Sequence, residues 1–158
     1  MEHYDVVIIG GGLAGGSAAA QYRKAGGDGR LVVISADPDL PVNRPPLSKD
    51  YLIGEEPLGK VFVHPAAFYR ENRIDLRLDM PVRGLDLRAK EARLADAEVL
   101  GFGTAVLATG ARFRRLSIKG GNLPGVYYLR SLASSELLRQ AYQDVNRAVL
   151  ADSCRALG

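Results

Sequence analysis

A single cysteine, Cys154, is all the thiol chemistry this chain of 158 residues possesses. An intramolecular disulfide, a Cys-x-x-Cys redox pair and a cysteine-based zinc site are therefore excluded. Its two histidines, His3 and His64, stand far apart without metal-ligand spacing. Both read as surface or packing residues, and no metal site is expected. No apolar run approaches the roughly 20 residues that a bilayer span needs. The first strand signal begins at Tyr4, which leaves no room for a signal or transit peptide, so the expectation is a cytoplasmic protein. Aromatic residues make up only 7%, and the +3 net charge is spread along the chain rather than gathered in runs of one sign. That pattern points to a solvated, arginine-rich surface and away from nucleic acid. Internal repeats and low-complexity segments are lacking as well, and 47% hydrophobic with 25% charged residues suits one soluble globular domain.

What is present begins at the N-terminus. The apolar run Asp5-Val6-Val7-Ile8-Ile9 passes into Gly10-Gly11-Gly12-Leu13-Ala14-Gly15 and then into a small-residue stretch through Ala20. This is strand, turn and helix. Gly10 permits the tight turn, Gly12 lets backbone approach a pyrophosphate with no Cβ in the way, and Gly15 with Ala19 lets the helix pack closely on the strand. The helix N-terminus offers free N–H groups to an anion. The bland alternative is a flexible glycine loop between core elements.

The helix fades near Gly26-Gly27, and Arg30 to Ser35 reads as a second buried strand. The Pro-rich connection Ala36 to Pro46 cannot continue it, because proline lacks the donor N–H. Ser48 is placed to cap a short helix through Leu52, and Pro65 to begin another that ends near Asn72. Ile74, Leu76 and Leu78 alternate with charged residues as in a half-buried strand. Leu85 with Leu87, Leu94, and Val99 with Leu100 mark three short strands of an antiparallel meander, which feeds a separate central strand over Thr104 to Ala108. From Ser131 the spacing predicts a helix with Leu132, Leu138, Tyr142 and Val145 near one face, and Ala148 to Ala151 a fragment of strand. In a dinucleotide fold an acidic residue about 20 positions beyond the glycines takes the ribose hydroxyls. Asp37 is the candidate here, with a plain turn residue as the alternative.

Leu40-Pro41-Val42-Asn43-Arg44-Pro45-Pro46-Leu47-Ser48-Lys49-Asp50-Tyr51-Leu52 closely resembles a segment of the ferredoxin and rubredoxin reductases that serve oxygenase systems, relatives of apoptosis-inducing factor within the FAD-dependent pyridine nucleotide oxidoreductases. Thr104 to Arg112, containing Ala108-Thr109-Gly110, is similar to the Ala-Thr-Gly segment of the same family, and Leu123 to Leu132 to its linker. The likeness runs in order from Tyr4 to Leu138. It implies an α/β, Rossmann-like FAD/NAD(P)-binding three-layer fold with a small antiparallel β-meander, incomplete at the C-terminus. Residues 1–131 would be a partial FAD-binding domain, and 132–158 a linker helix with a divergent tail. The resemblance further implies FAD at the first glycine turn, with Gly10, Gly12, Ala14 and Gly15 at the pyrophosphate, Val82 at the adenine through its backbone, and Ala108, Thr109, Gly110 and Arg130 also at the cofactor. Lys49 would approach the isoalloxazine as the candidate catalytic residue, a point charge favouring the reduced, anionic ring; the alternative is a solvated lysine. Arg44 either neutralises phosphate or holds the Pro-Pro loop by an ion pair.

The chain departs from the family at Ala36, where an acidic residue is common, at Val42, where an aromatic is usual, and at Phe102-Gly103, where Tyr-Asp is common. A larger departure follows the linker helix. Family members have a second Gly-x-Gly-x-x-Gly for NAD(P)H there, whereas Asp152-Ser153-Cys154-Arg155 stands in its place here. An aspartate at that point would repel a pyrophosphate. The expectation is a truncated, impaired ferredoxin-reductase-type oxidoreductase that keeps an FAD site without an NAD(P)H site. Its family partner is a ferredoxin or rubredoxin-type electron acceptor, and exposed apolar surface would promote self-association. The alternatives are a non-catalytic dinucleotide-binding or interaction module completed by a partner chain, and an inactive fragment.

Overall fold

The computed structural model describes residues 1–143 and 145–150. The apolar runs read from the sequence become β1 (Glu2–Ile9) and β2 (Leu31–Ile34), joined by helix α1 (Leu13–Lys24). A 3-10 turn at Pro45–Ser48 leads into α2 (Asp50–Ile53), and α3 (Ala66–Glu71) precedes β3 (Ile74–Arg77). Strands β4 (Val82–Asp86), β5 (Glu91–Leu94) and β6 (Val99–Leu107) follow, then helix α4 (Leu132–Tyr142). The strands form one sheet in the order β3-β2-β1-β6-β5-β4. Strand β1 lies parallel to both neighbours, Val7 opposite Val32 on one side and Ala105 on the other. Strands β5 and β4 continue the sheet antiparallel. The fold is α/β with a mixed sheet.

Both faces of β1 and β2 are covered, by different means. Ala19 of α1 and Tyr69 of α3 pack with Ile8, Leu31, Val33 and Ile74 on one face. On the other face Val7, Ile9, Val32 and Ile34 share one core cluster with Ala92 and Leu94 of β5 and with Leu100 and Phe102 of β6. A third cluster, Val42, Leu47, Tyr51, Val61 and Leu132, holds α4 to the Pro-rich segment. Each large apolar side chain so buried contributes about 1.5–3 kcal/mol.

Four expectations need correction. Ser48 caps nothing: its hydroxyl donates back to the Pro45 carbonyl at 3.3 Å, and Lys49 stands at the helix N-cap. The meander has two strands of its own, because its third is continuous with the central strand in the nine-residue β6. On α4 the buried residues are Leu132 and Ser135, and Val145 lies beyond the helix end. Residues 148–150 are not a strand: Val149 and Leu150 are 97% and 94% exposed. Ala151 and the Asp152-Ser153-Cys154-Arg155 segment lie outside the described residues. His64 is the packing residue expected, its ring stacked on Phe68 with centroids 3.9 Å apart.

Glu2, at the start of β1, is tied to the residue before β2 and to the last residue of β3. Its carboxylate receives Arg30 and Arg77, each at 2.7 Å. The hydrogen bond from Arg30, with help from Arg77, holds this carboxyl below its usual range. A depressed carboxylate stabilises the fold above its unfolded pKa and loses that contribution as pH falls through the folded value. Glu2→Gln should therefore lower the urea midpoint at pH 7, and the difference from wild type should shrink as pH falls below the ordinary glutamate range, measured by circular dichroism. Tyr69 presents the opposite case. Its hydroxyl is buried with no hydrogen-bond partner among the described residues, and burial pushes its pKa up to about 12. An unsatisfied buried hydroxyl costs about 1–3 kcal/mol, so Tyr69→Phe should raise the urea midpoint, by about 1 kcal/mol of stability.

Candidate dinucleotide site

The turn after β1 is shaped by contacts that no side chain could enter. The Gly10 amide donates to the Ile34 carbonyl at 2.8 Å, which anchors the turn to the end of β2. Gly10 has φ +129°, and a Cβ there would stand 2.1 Å from the Ala108 carbonyl oxygen at the end of β6. At Gly15 a Cβ would stand 1.9 Å from the Gly10 carbonyl oxygen, so α1 starts flush against the turn. Gly12 is different: the nearest atom to its missing Cβ is Arg44 Nη2, at 3.9 Å. It is the extended N-cap of α1, with no side-chain cap and no acidic residue in the first turn. The first amides of a helix lack intrahelical acceptors, and here no local carboxylate takes up their positive potential. Leu13 and Ala14, in this first turn, are exposed.

The Pro-rich segment is laid directly on that turn. The Val42 amide donates to the Gly11 carbonyl at 3.2 Å, and Val42 bridges Gly12 on one side and Phe62 on the other. Arg44 follows and reaches back over the glycines. From the other end of the chain, Arg130 donates Nε–H to the Ala111 carbonyl at 3.0 Å. Both guanidiniums converge on Gly110, whose missing Cβ would lie 3.6 Å from Arg130 Nη2 and 4.0 Å from Arg44 Nη1. Neither arginine forms an ion pair with a carboxylate among the described residues. The loop-fixing ion pair considered for Arg44 is therefore not formed with any described residue. Burial, followed by the Arg130 charge, pushes the Arg44 guanidinium below its ordinary pKa, with Asp37 pulling the other way.

Asp37 lies where β2 ends. Its amide donates to Ser35 Oγ at 3.1 Å and its carbonyl accepts from the Asp79 amide at 3.1 Å, so its backbone makes the turn while the residue stays exposed. Burial, then the Asp37 charge, raises the neighbouring Asp39. The Met80 amide donates to the Ser35 carbonyl at 2.7 Å and so brings the segment leading to half-buried Val82 alongside. The Ala108 amide donates to the Ile9 carbonyl at 2.8 Å, extending β6 beside the turn, and Thr109 and Gly110 follow exposed. Lys49 is exposed, and its ammonium forms no hydrogen bond or ion pair with these residues. The glycines, Arg44, Ala108, Gly110 and Arg130 thus meet at the carboxyl ends of β1, β2 and β6, where parallel α/β sheets take ligands. Ser35 went unrecognised in the sequence: its buried hydroxyl lies 2.3 Å from where a Gly11 Cβ would be. A polar residue closing an all-apolar strand was the available signal.

The arrangement fits a dinucleotide's pyrophosphate. It has an uncapped helix start, an open Gly12 and two guanidiniums that form no ion pair with a carboxylate among the described residues. A family model described as pyridine nucleotide-disulphide oxidoreductase matches residues 4–150. A ferredoxin–NAD(P)(+) reductase from Sphingomonas sp is 37% identical over 148 residues, 94% of this chain and 36% of that protein. A rubredoxin–NAD(+) reductase from Pseudomonas putida is 36% identical over 135 residues, 85% of this chain and 35% of that one. The crystal structure of the ferredoxin reductase for the CYP199A2 system from Rhodopseudomonas palustris superposes with a TM-score of 0.83 at 38% identity, covering 89% of this chain and 35% of that chain. The covalent putidaredoxin reductase–putidaredoxin complex gives 0.80 at 29% identity, with 89% and 34% covered. The chain spans about a third of the length of the relatives it matches.

The two kinds of glycine predict opposite outcomes. Gly15→Ala forces a methyl into a carbonyl and should destabilise the fold by about 2–4 kcal/mol, visible as a fall in thermal midpoint. Gly12→Ala meets open space and should leave that midpoint near wild type while weakening dinucleotide binding by about tenfold or more, read by fluorescence titration.

Proposed function

This chain belongs to the pyridine nucleotide-disulphide oxidoreductase family, and from that premise we propose that residues 1–131 form the FAD-binding portion of a ferredoxin-reductase-type oxidoreductase. The observation that carries the reading is the convergence of Arg44 and Arg130 at Gly110, with Arg44 also reaching Gly12 and neither arginine ion-paired to a carboxylate among the described residues. In this reading the first amides of α1 and the two guanidiniums hold the pyrophosphate, and Asp37 takes ribose hydroxyls. Val82 meets the adenine through its backbone, and Lys49 places a positive charge toward the flavin ring. FAD supplies the chemistry that joins two-electron hydride transfer to single-electron delivery. The protein contributes binding, orientation and electrostatics.

NAD(P)H is assigned no site on this chain. A second glycine turn is missing from the 158 residues, so hydride delivery to the flavin would need a nicotinamide site outside them. The acceptor in this reading is a ferredoxin or rubredoxin-type iron–sulfur protein. In support, relatives bear those names, and the stretch from Val99 to Ser135 carries Arg112, Arg114, Arg115, Lys119 and Arg130 with no aspartate or glutamate. Arg115 lies over the stacked rings of Phe113 and Tyr128, an apolar and cationic surface suited to an acidic protein. One observation favours the second reading, a binding module completed by another chain or by a second copy. Leu107, at the end of an interior strand, is 66% exposed, as an uncovered sheet face would be. None of the helices among the described residues is long and apolar enough to cross a membrane.

The test is the visible spectrum of the purified chain with and without added FAD, followed by NADH with ferricyanide. The expected result is a bound flavin spectrum that NADH does not bleach. Rapid NADH-dependent reduction would overturn the missing nicotinamide site, and a colourless protein that ignores added FAD would overturn the cofactor reading itself.

A further inference from the structure

Arg44 and Arg130 carry like charges, lie far apart in the chain and make no direct contact that would hold them together. One element accounts for both positions, and it is α4. Arg130 directly precedes the α4 N-cap, Ser131, and its amide donates to Ser134 Oγ at 2.9 Å within the capping box. The side chain is thereby launched from the helix start toward Gly110.

The same helix grips the segment that carries Arg44. Ser135, fully buried, donates its hydroxyl to the Leu47 carbonyl at 2.8 Å, in the 3-10 turn that Arg44 caps. The Tyr51 hydroxyl donates to Glu136, and Arg139 sits over the Tyr51 ring at 4.9 Å while reaching Glu136 at 3.4 Å. Tyr142 closes the far end by donating to the Leu52 carbonyl at 3.1 Å. Leu132 supplies the apolar contact beneath, among Leu47, Tyr51 and Val61. Packing gives no reason for a hydroxyl at Ser135 or a carboxylate at Glu136; both are explained by the polar groups of the loop opposite them.

We infer that α4 is the brace of the anion clamp, and that Ser135 and Glu136 are positioning residues that set the distance between the Arg44 and Arg130 guanidiniums. The inference rests on the reading that this guanidinium pair takes a cofactor's phosphates. Bidentate recognition tolerates displacements of only about 0.5–1 Å, so a brace at the base of both arginines controls affinity without touching the ligand.

The experiment uses the full chain and two probes, FAD and inorganic pyrophosphate, titrated by calorimetry alongside thermal midpoints. Glu136→Ala and Ser135→Ala should each weaken both probes by about tenfold, the loss of one charge-assisted contact's worth of placement. Glu136→Gln, which keeps an acceptor for the Tyr51 hydroxyl, should stay within about twofold of wild type. Tyr51→Phe breaks the same hydrogen bond from the other side and keeps the ring, so it should match Glu136→Ala, and the double variant should be no worse. Leu137→Ala, on the exposed side of α4, is the control and should change nothing. Added to Arg130→Ala, Glu136→Ala should cost far less than tenfold, because there is no pair left to place.

Lower thermal midpoints with unchanged affinities for both probes would make α4 merely structural and end the proposal, as would equal losses in Glu136→Gln and Glu136→Ala. A wild-type chain that binds pyrophosphate but not FAD would sink the cofactor reading and leave the brace standing. Binding of FAD that is indifferent to Glu136→Ala and Tyr51→Phe would do the reverse. Binding of neither probe by the wild-type chain would sink both.

Discussion

Steric exclusion at the end of β1 is the constraint on which the rest of this structure depends. Three pieces of backbone meet there, at Gly10, Gly15 and Ala108, with room for no Cβ on either glycine. Because Gly10 passes so close to Ala108, β1 and β6 stay paired to their ends. Because Gly15 sits on the Gly10 carbonyl, α1 begins without a spacer and its first amides open at the carboxyl edge of the sheet. A single methyl at either point would separate strand from strand or helix from turn. The electrostatic character of the site follows from this packing, since backbone dipoles act only where backbone can be reached.

Side chains complete the site from a distance. Hydrogen bonds of Val42 to Gly11 and of Met80 to Ser35 recruit two loops to the same edge, one bringing Arg44 and the other leading into Val82. Arg130 arrives from the segment before α4. The charges so gathered are cationic at the centre, with Asp37 exposed at the margin. Burial lowers the Arg44 pKa first, and the Arg130 charge adds to it, since like charges in a half-buried setting repel more strongly than they would in water. The folded chain tolerates that repulsion because hydrogen bonds elsewhere, from Arg130 Nε and the Arg130 amide, hold the second arginine in place.

What could be read in advance was what is encoded locally. The glycine spacing, the apolar runs of β1 and β2 and the Pro65 start of α3 each carry their signal within a few residues. The order of motifs from the glycine turn to the linker carried the family. Non-local contacts escaped. The sequence suggested one strand at Val99-Leu100 and another from Thr104, yet β6 runs unbroken through Gly101 and Gly103. Their Cβ atoms would fall 2.7 Å from the His3 ring and 2.8 Å from the Asp5 carbonyl, so glycine there permits close pairing with β1. Alternation from Val82 to Leu100 pointed to a small antiparallel meander, but not to the core that Ala92 and Leu94 share with Val32 and Ile34. Apolar periodicity in α4 pointed to Leu138 and Val145, whereas the helix docks largely through hydroxyl, carboxylate and guanidinium groups that such periodicity does not register.

The docking of α4 and the occupation of the arginine pair draw on the same free energy. The helix brings two cations together and is opposed by their repulsion. Its own apolar contribution comes chiefly from Leu132 in a small cluster, which leaves much of the restraint to polar bonds at Ser135, Glu136 and Tyr142. An anion between the guanidiniums removes the repulsion and adds attraction to both sides, so it binds the docked arrangement better than any other. By linkage, whatever strengthens the docking of α4 strengthens the hold on the anion, and the anion in turn strengthens the docking. In the proposed reading, a dinucleotide's pyrophosphate, doubly charged and placed at the α1 amides, would satisfy the turn and the two arginines at once.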